Sequence, residues 1–302
     1  MPHYKTPSRL VLPQECEGAT LVLSLSGGKD SVAAGLALKE AGLECRYVFA
    51  DTGWELPDTY QHLDHLQELL GWQIDRVGVP GGLPAVVRQN GRFPGRLQRW
   101  CTPELKVQPL RAYHEQLRDE GADTVAVLGI RHEEGTASNG RGDALEVEWD
   151  ERWDGLLWRP IVRWKIEDVV AIHQRHSVPL NPLYHKGFER VGCFCIFASK
   201  QEIRLVADLY PEKIDEVEIL EQEASALRQA RNLETPGRYT HEDATFFQTR
   251  RKGLEGIRAV VDWARTDYGG RQYELFPRPP GGGCARWGLC EYRPPGSAGG
   301  GD

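Results

Sequence analysis

Two sets of residues in this chain of 302 combine the types and spacings that chemistry needs. The first is Ser26-Gly27-Gly28-Lys29-Asp30-Ser31. Adjacent glycines let the main chain enter conformations closed to other residues, and they let an anion come close to the amide N–H groups. Lys29 adds a full positive charge and the two serines add hydroxyls. These are the parts of a cradle for a phosphate chain. The second set is the thiols Cys101, Cys193, Cys195, Cys284 and Cys290. Thiolates bind zinc or iron–sulfur clusters, or attack as nucleophiles.

The elements that must position the first set are legible around it. Leu21 to Ser26 is a short apolar-rich run of strand character, and Val32, Ala33, Leu36 and Ala37 recur at helical spacing. A strand, a tight turn and a helix follow, with the helix adding unpaired N–H donors and about half a unit of positive charge at its start. The motif is not a Walker A loop, which separates its first glycine from the final Gly-Lys-Ser/Thr by four residues. A glycine-rich turn without a ligand is the simpler alternative, but Lys, Asp and two serines at these spacings favour phosphate.

Gly42 closes the first helix. Cys45 to Ala50 is a second strand, and Asp51, Thr52 and Gly53 lie just past its carboxyl end, where open α/β sheets place ligands. Pro57 opens a helix to about Leu70, and Trp72 to Val79 is a third strand. This alternation predicts a doubly wound parallel sheet. From Pro80 to Trp100 the pattern breaks into a mobile basic loop carrying Arg88, Arg92, Arg96 and Arg99, either a clamp for distal phosphates or a solvated surface. Thr102 as N-cap and Pro103 at the first helical position start the next helix. Cys101 beside that start is expected to have a lowered pKa.

Thr124 to Ile130 is the fourth strand, and it delivers Arg131 either to a phosphate or to an ion pair with Glu134. A loose loop over 138–143, a short strand over Leu156–Ile161 and a helix over Glu167–His176 come next. Asn181 to Lys200 is a turn-rich segment leading into cysteines. Helices are expected over Ser199–Leu209, Pro211 to about Arg231, and Gln248–Arg265. The organisation is thus an N-terminal arm (1–18), an α/β domain (19–197), a helical region (198–276) and a Gly/Pro-rich tail (277–302) held by Cys284 and Cys290.

Hydrophobic content of 40% suffices for a buried core, and no apolar run approaches a membrane span or a signal peptide, so a cytoplasmic chain without membrane contact is expected. The formal charge of −7 argues against general attraction to nucleic acid, although a local basic patch survives such an average. Seven cysteines in a chain of this kind point to metal or redox chemistry rather than disulfides, with Cys16 and Cys45 as ordinary small residues.

SGGKDS at 26–31, ADTGWELPDT at 50–59, CTPELKVQP at 101–109, GIRHEE at 129–134, RPIVRWKIEDV at 159–169 and NPLYHKGFERVGCFC at 181–195 together resemble the PAPS reductase (CysH-like) family of PP-loop proteins, in that family's order. The resemblance implies an adenine nucleotide such as ATP at the carboxyl edge of the sheet. Its binding set would be Ser24, Ser26, Gly27, Gly28, Lys29, Asp30, Ser31, Asp51, Thr52, Gly53, Gly129 and Arg131. The Glu-Cys-Gly-Ile/Leu-His segment of sulfonucleotide-reducing members does not occur here. The chain is more similar to reductase-like proteins of DNA phosphorothioation and of type IV CRISPR loci, which implies attack at the ATP α-phosphate and a protein or nucleic-acid complex as partner. In that chemistry Mg²⁺ bridges phosphates, Asp30 helps position it, and Lys29, Lys106 and Arg131 meet charge on the leaving group. The phosphorothioation relatives also carry a [4Fe-4S] cluster, so Cys101, Cys193, Cys195, Cys284 and Cys290 are either ligands to a cluster or Zn²⁺, or free thiols. Three readings stand side by side: an ATP α-hydrolase, a thiol-dependent sulfonucleotide reductase, and a nucleotide-binding module without turnover.

Overall fold

The computed structural model describes residues 10–95, 98–134, 144–151, 153–237, 241, 243–247 and 255–266. The start of the arm, the 138–143 loop, Arg96, residues 248–254 and the whole tail with Cys284 and Cys290 lie outside them.

Six strands form one sheet: β1 (Thr20–Ser24), β2 (Arg46–Asp51), β3 (Ile74–Gly78), β4 (Thr124–Leu128), β5 (Val147–Asp150) and β6 (Gly155–Trp158). Their order is β3-β2-β1-β4-β6-β5. All neighbours run parallel except β5 against β6. The doubly wound sheet is therefore as expected, with an antiparallel edge hairpin added. The strand expected over Leu156–Ile161 ends earlier, at Trp158, because the chain turns where Val162 N–H bonds back to Arg159 O.

Successive side chains of a strand face opposite sides. Leu21 and Leu23 of β1 accordingly join a core with α1 (Lys29–Ala41), α2 (Pro57–Leu70) and α5 (Ile166–Arg175), while Val22 joins Leu110 and Leu117 of α4 (Gln108–Asp119). Leu23, Leu36, Leu63 and Leu66 are wholly buried in the first of these cores. At about 2 kcal/mol each, they fix α1 and α2 against the sheet. Gly35 matters here, because a Cβ on it would stand 2.7 Å from Trp72 Cη2.

The stretch expected as a basic loop contains α3 (Gly82–Asn90). Leu83, Val86 and Val87 recur at helical spacing and are buried. Gly81, in a left-handed conformation, supplies the turn into it. Its C-terminal carbonyls at Gln89, Asn90 and Gly91 accept bonds from Arg231 and Arg228. Both arginines come from α8 (Pro211–Glu234). With α6 (Pro182–His185), α7 (Lys200–Leu209) and α9 (Ile257–Arg265), α8 completes the helices. Residues of α3, α7, α8 and α9 share one apolar core with Trp54, Trp100 and Phe194. Ser199 caps α7 through a reciprocal pair with Glu202.

Candidate functional site

β1 is the switch point of the sheet, since β2 lies on one side of it and β4 on the other. Crevices outside the carboxyl ends of such strands receive ligands. The turn from β1 to α1 sits there. Gly27 has a φ of 71°, which only glycine adopts without strain. Asn181 Nδ2 donates to Gly27 O at 3.3 Å, and a trans peptide then directs the Gly28 N–H to the opposite side. Ser31 Oγ donates to Gly28 O at 3.0 Å and accepts from Ser26 N at 3.2 Å. Its proton being spent, the 3.1 Å contact between the two serine hydroxyls is donated by Ser26.

Beneath this turn four charges run in a chain. Lys29 Nζ is 2.7 Å from Asp30 Oδ2, Arg131 Nε is 2.5 Å from Asp30 Oδ1, and Arg131 Nη1 reaches Glu133 at 2.8 Å. Lys29, Asp30 and Arg131 are all buried. Arg131 arrives from the end of β4 because Gly129 permits it: a Cβ there would stand 2.6 Å from both Asp30 O and Ser31 Cα. The Arg131 side chain makes ion pairs with Asp30 and Glu133.

Asp51, Thr52 and Gly53 form a self-bracing loop after β2. Glu55 is buried, accepting from Thr52 Oγ1 at 2.7 Å and from the Thr52 and Trp54 amides at 3.2 Å. Asp51 Oδ1 accepts from Gly53 N and from Tyr60 Oη, both at 2.8 Å. Leu83 N–H holds Thr52 O at 2.7 Å, so α3 pins this loop from behind. The described arginines of the expected clamp have partners within the protein. Arg88 pairs with Glu223, Arg92 bonds Gln98, and Arg99 covers the Phe197 ring.

Lys106 belongs to a second group. It lies among Cys193, Glu55, Cys195 and Cys101, and Cys193, once it is a thiolate, does most to hold its pKa up. A bridge pairs Glu55 with Cys193, and Phe194 N–H donates to Trp54 O at 3.3 Å, which ties the thiols to the Asp51 loop. Cys101 departs from expectation. Burial and the neighbouring Cys195 raise its pKa. Thr102 is helical and makes no cap, because the helix already starts before it and Glu104 N–H bonds Trp100 O. Pro103–Val107 then forms a π-helical turn that leads into α4. Pro109 accounts for the wide turn, since its ring would clash with the Leu105 carbonyl in a regular helix. Burial likewise pushes the Cys193 thiol up to about 11.

Among the described residues, no three His, Cys, Asp or Glu side chains are disposed to hold a metal ion. The three described thiols therefore do not by themselves fit a cluster or zinc. Mg²⁺ asks less of a protein, one or two carboxylates beside the phosphates of a nucleotide. Both oxygens of Asp30 are taken by Lys29 and Arg131, which leaves Asp51 at this edge as a carboxylate that could hold the ion.

Three further residues shape the cradle without having been singled out in the sequence. Asn181 orients the Gly27 peptide. His173 Nε2 donates to Lys29 O at 2.8 Å. Tyr184 Oη accepts from Lys29 N at 3.3 Å. Asn181-Pro182 carried one readable signal, an N-cap followed by a first-turn proline, and Asn181 does cap α6.

The phosphoadenosine phosphosulfate reductase domain matches residues 20–198. The chain is 31% identical over 331 residues to the uncharacterized 37.8 kDa protein in the gpa 5′ region of Escherichia phage 186, covering 86% of this chain and 92% of that one. It is 28% identical over 182 residues to the phosphoadenosine 5′-phosphosulfate reductase of Gloeobacter violaceus, covering 59% and 71%. Among solved structures, the phosphate complex of PAPS reductase from Candida auris superposes with a TM-score of 0.47 at 16% identity, over 60% of this chain and 84% of that one. With its PP-loop built at the switch point of a mostly parallel sheet, the chain belongs to the phosphoadenosine phosphosulfate reductase domain family.

Proposed function

We propose that the chain binds ATP and cleaves it at the α-phosphate, giving pyrophosphate and either AMP or an adenylate. The observation that carries this reading is the buried chain Lys29–Asp30–Arg131 directly under the glycine turn. With Glu133 paired to Arg131 the four charges balance, so the pull on an anion comes from the first-turn amides of α1, with the Lys29 ammonium held ready beside them. Lys29 would meet charge on the departing pyrophosphate, and Asp30 and Arg131 hold it in place beforehand, so little reorganisation is needed during reaction. Asp51 to Gly53 would border the nucleoside. Mg²⁺, when bound, supplies charge neutralisation between the phosphates.

Within the 302 residues no Glu-Cys-Gly-Ile/Leu-His segment occurs, which favours this chemistry over reduction. An accessory role in a nucleic-acid modification or defence system belongs to this reading. A second reading, thiol-dependent sulfonucleotide reduction, is favoured by the gathering of Cys101, Cys193 and Cys195 about Lys106.

Labelled ATP separates these readings. AMP and pyrophosphate in the presence of Mg²⁺ support cleavage at the α-phosphate, whereas ADP and phosphate overturn it. Sulfite release from PAPS with a thiol donor supports the second reading. Nucleotide binding with neither product leaves a binding module.

A further inference from the structure

Tyr184 is almost wholly buried, on the four-residue helix α6, and packs with Leu180, Val170 and Val191. Its hydroxyl nevertheless points at the PP-loop. It accepts the Lys29 N–H at 3.3 Å, and the Lys29 ammonium lies over its ring, 5.5 Å from the centroid. Val191 Cγ2 and Tyr184 Oη stand 3.1 and 3.5 Å from where a Gly28 Cβ would be. The two side chains roof the turn.

The Lys29 amide is the first of α1 and has no carbonyl one turn earlier to bond. It is therefore one of the donors a phosphate chain at this turn would use, and the phenol holds it. The bond is long, at the weak end for a neutral pair, while a phosphate oxygen forms the stronger charge-assisted bond. Main-chain anchors do not move with the phenol, because Asn181 and His173 hold the Gly27 and Lys29 carbonyls independently.

We propose that Tyr184 is a positioning residue whose hydroxyl stands in for a phosphate oxygen on the Lys29 amide and must give way as the nucleotide's phosphate chain enters. The inference rests on the reading of this turn as a phosphate cradle. Tyr184 thus occupies one donor of a turn that other residues hold in its binding shape, and taxes every anion that binds there. An anion that gains more than the phenol offers, a pyrophosphate or triphosphate chain, displaces it, and a weak monovalent anion does not.

The test uses the full chain and compares the parent with Tyr184→Phe in titrations with inorganic pyrophosphate and with ATP plus Mg²⁺. Removing one ordinary hydrogen-bond competitor tightens binding roughly 2- to 10-fold. The gain falls in the association rate with dissociation unchanged, since only the competent fraction rises. Equal or weaker affinity in the variant, or a gain confined to dissociation, overturns the proposal. No binding by parent or variant overturns the cradle reading itself, and with it this one. Should the variant not fold, the parent with ¹³C-labelled tyrosine rings decides: one buried tyrosine signal shifts on saturation with pyrophosphate, and no shift overturns the proposal.

Discussion

Arg131, at the end of β4, and Asp30, in the first turn of α1, meet through a 2.5 Å contact between Nε and Oδ1, with both side chains buried. Two elements from distant parts of the sequence are thereby joined under the glycine turn. Breaking a buried pair by removing one partner leaves an uncompensated charge, which costs about 3–5 kcal/mol. Because Asp30 keeps Lys29 as a partner, Arg131→Met should lower the unfolding free energy read from urea titration by about 3 kcal/mol or less, and abolish pyrophosphate release. A midpoint equal to the parent's would show that the pair does not hold the site together.

Lys29 is expected to act on the leaving phosphates as well as in the ion pair with Asp30. Lys29→Ala should reduce pyrophosphate release from ATP roughly a hundredfold, as loss of one preorganised charge does. Product analysis of parent and variant at saturating ATP checks this. A variant within threefold of the parent would remove Lys29 from the mechanism.

Two buried histidines set an acid limit. Burial lowers His62 to about 3 and His114 to about 4, both below the ordinary 6.5. The unfolded chain therefore takes up protons that the folded chain refuses, so stability present above pH 6.5 is lost as pH falls toward these folded values. At pH 5 each histidine accounts for about 2 kcal/mol of that loss. Urea unfolding between pH 8 and pH 5 measures the slope, and His114→Gln should make it shallower.

Glu221 of α8 accepts from the Phe246 and Ile257 amides, each at 2.8 Å and each through a different oxygen. Glutamine offers one carbonyl oxygen and leaves one amide facing an NH₂ group. Glu221→Gln should cost about 1–3 kcal/mol and loosen α9 first. Hydrogen exchange across residues 255–266 would show it, and unchanged protection there would argue that packing alone secures α9.

The thiols should be sluggish. With the Cys193 pKa pushed up to about 11 by burial, little thiolate is present near neutrality. Iodoacetamide labelling of the folded protein at pH 7.5, followed by mass spectrometry, should modify Cys193 far more slowly than after denaturation. Lys106→Met should slow it further, because the lysine charge favours the thiolate. Rapid labelling of Cys193 in the folded parent would contradict the arrangement.

The PP-loop, the first three strands and the helices between them were legible because parallel strands and buried helices write their burial into short apolar runs. The Asp51 loop was legible by its position after β2. What escaped depends on partners far along the chain. The helix α3 was hidden behind arginines and glycines, and its apolar face shows only against α8. Strand β5 is four residues long, with Trp149 facing outward at 64% exposure, so alternation gave no signal. The expected low pKa of Cys101 failed for the same reason: its surroundings are supplied by residues 193–195, and their burial outweighs the helix start. Asn181 and His173 look like a cap and a core residue until the carbonyls they hold are seen.

Gly129 carries a consequence for how the turn responds to any ligand. Where main chain rests on main chain there is no rotamer to flip and no tip to swing aside, so β4 and the start of α1 behave as a single solid piece. The main-chain floor of the recess is thus finished during folding, and only side chains rearrange when an anion arrives. Damage at this point should be all-or-none, since even one added methyl group would wedge the two backbones apart and spoil recognition of every phosphate compound alike.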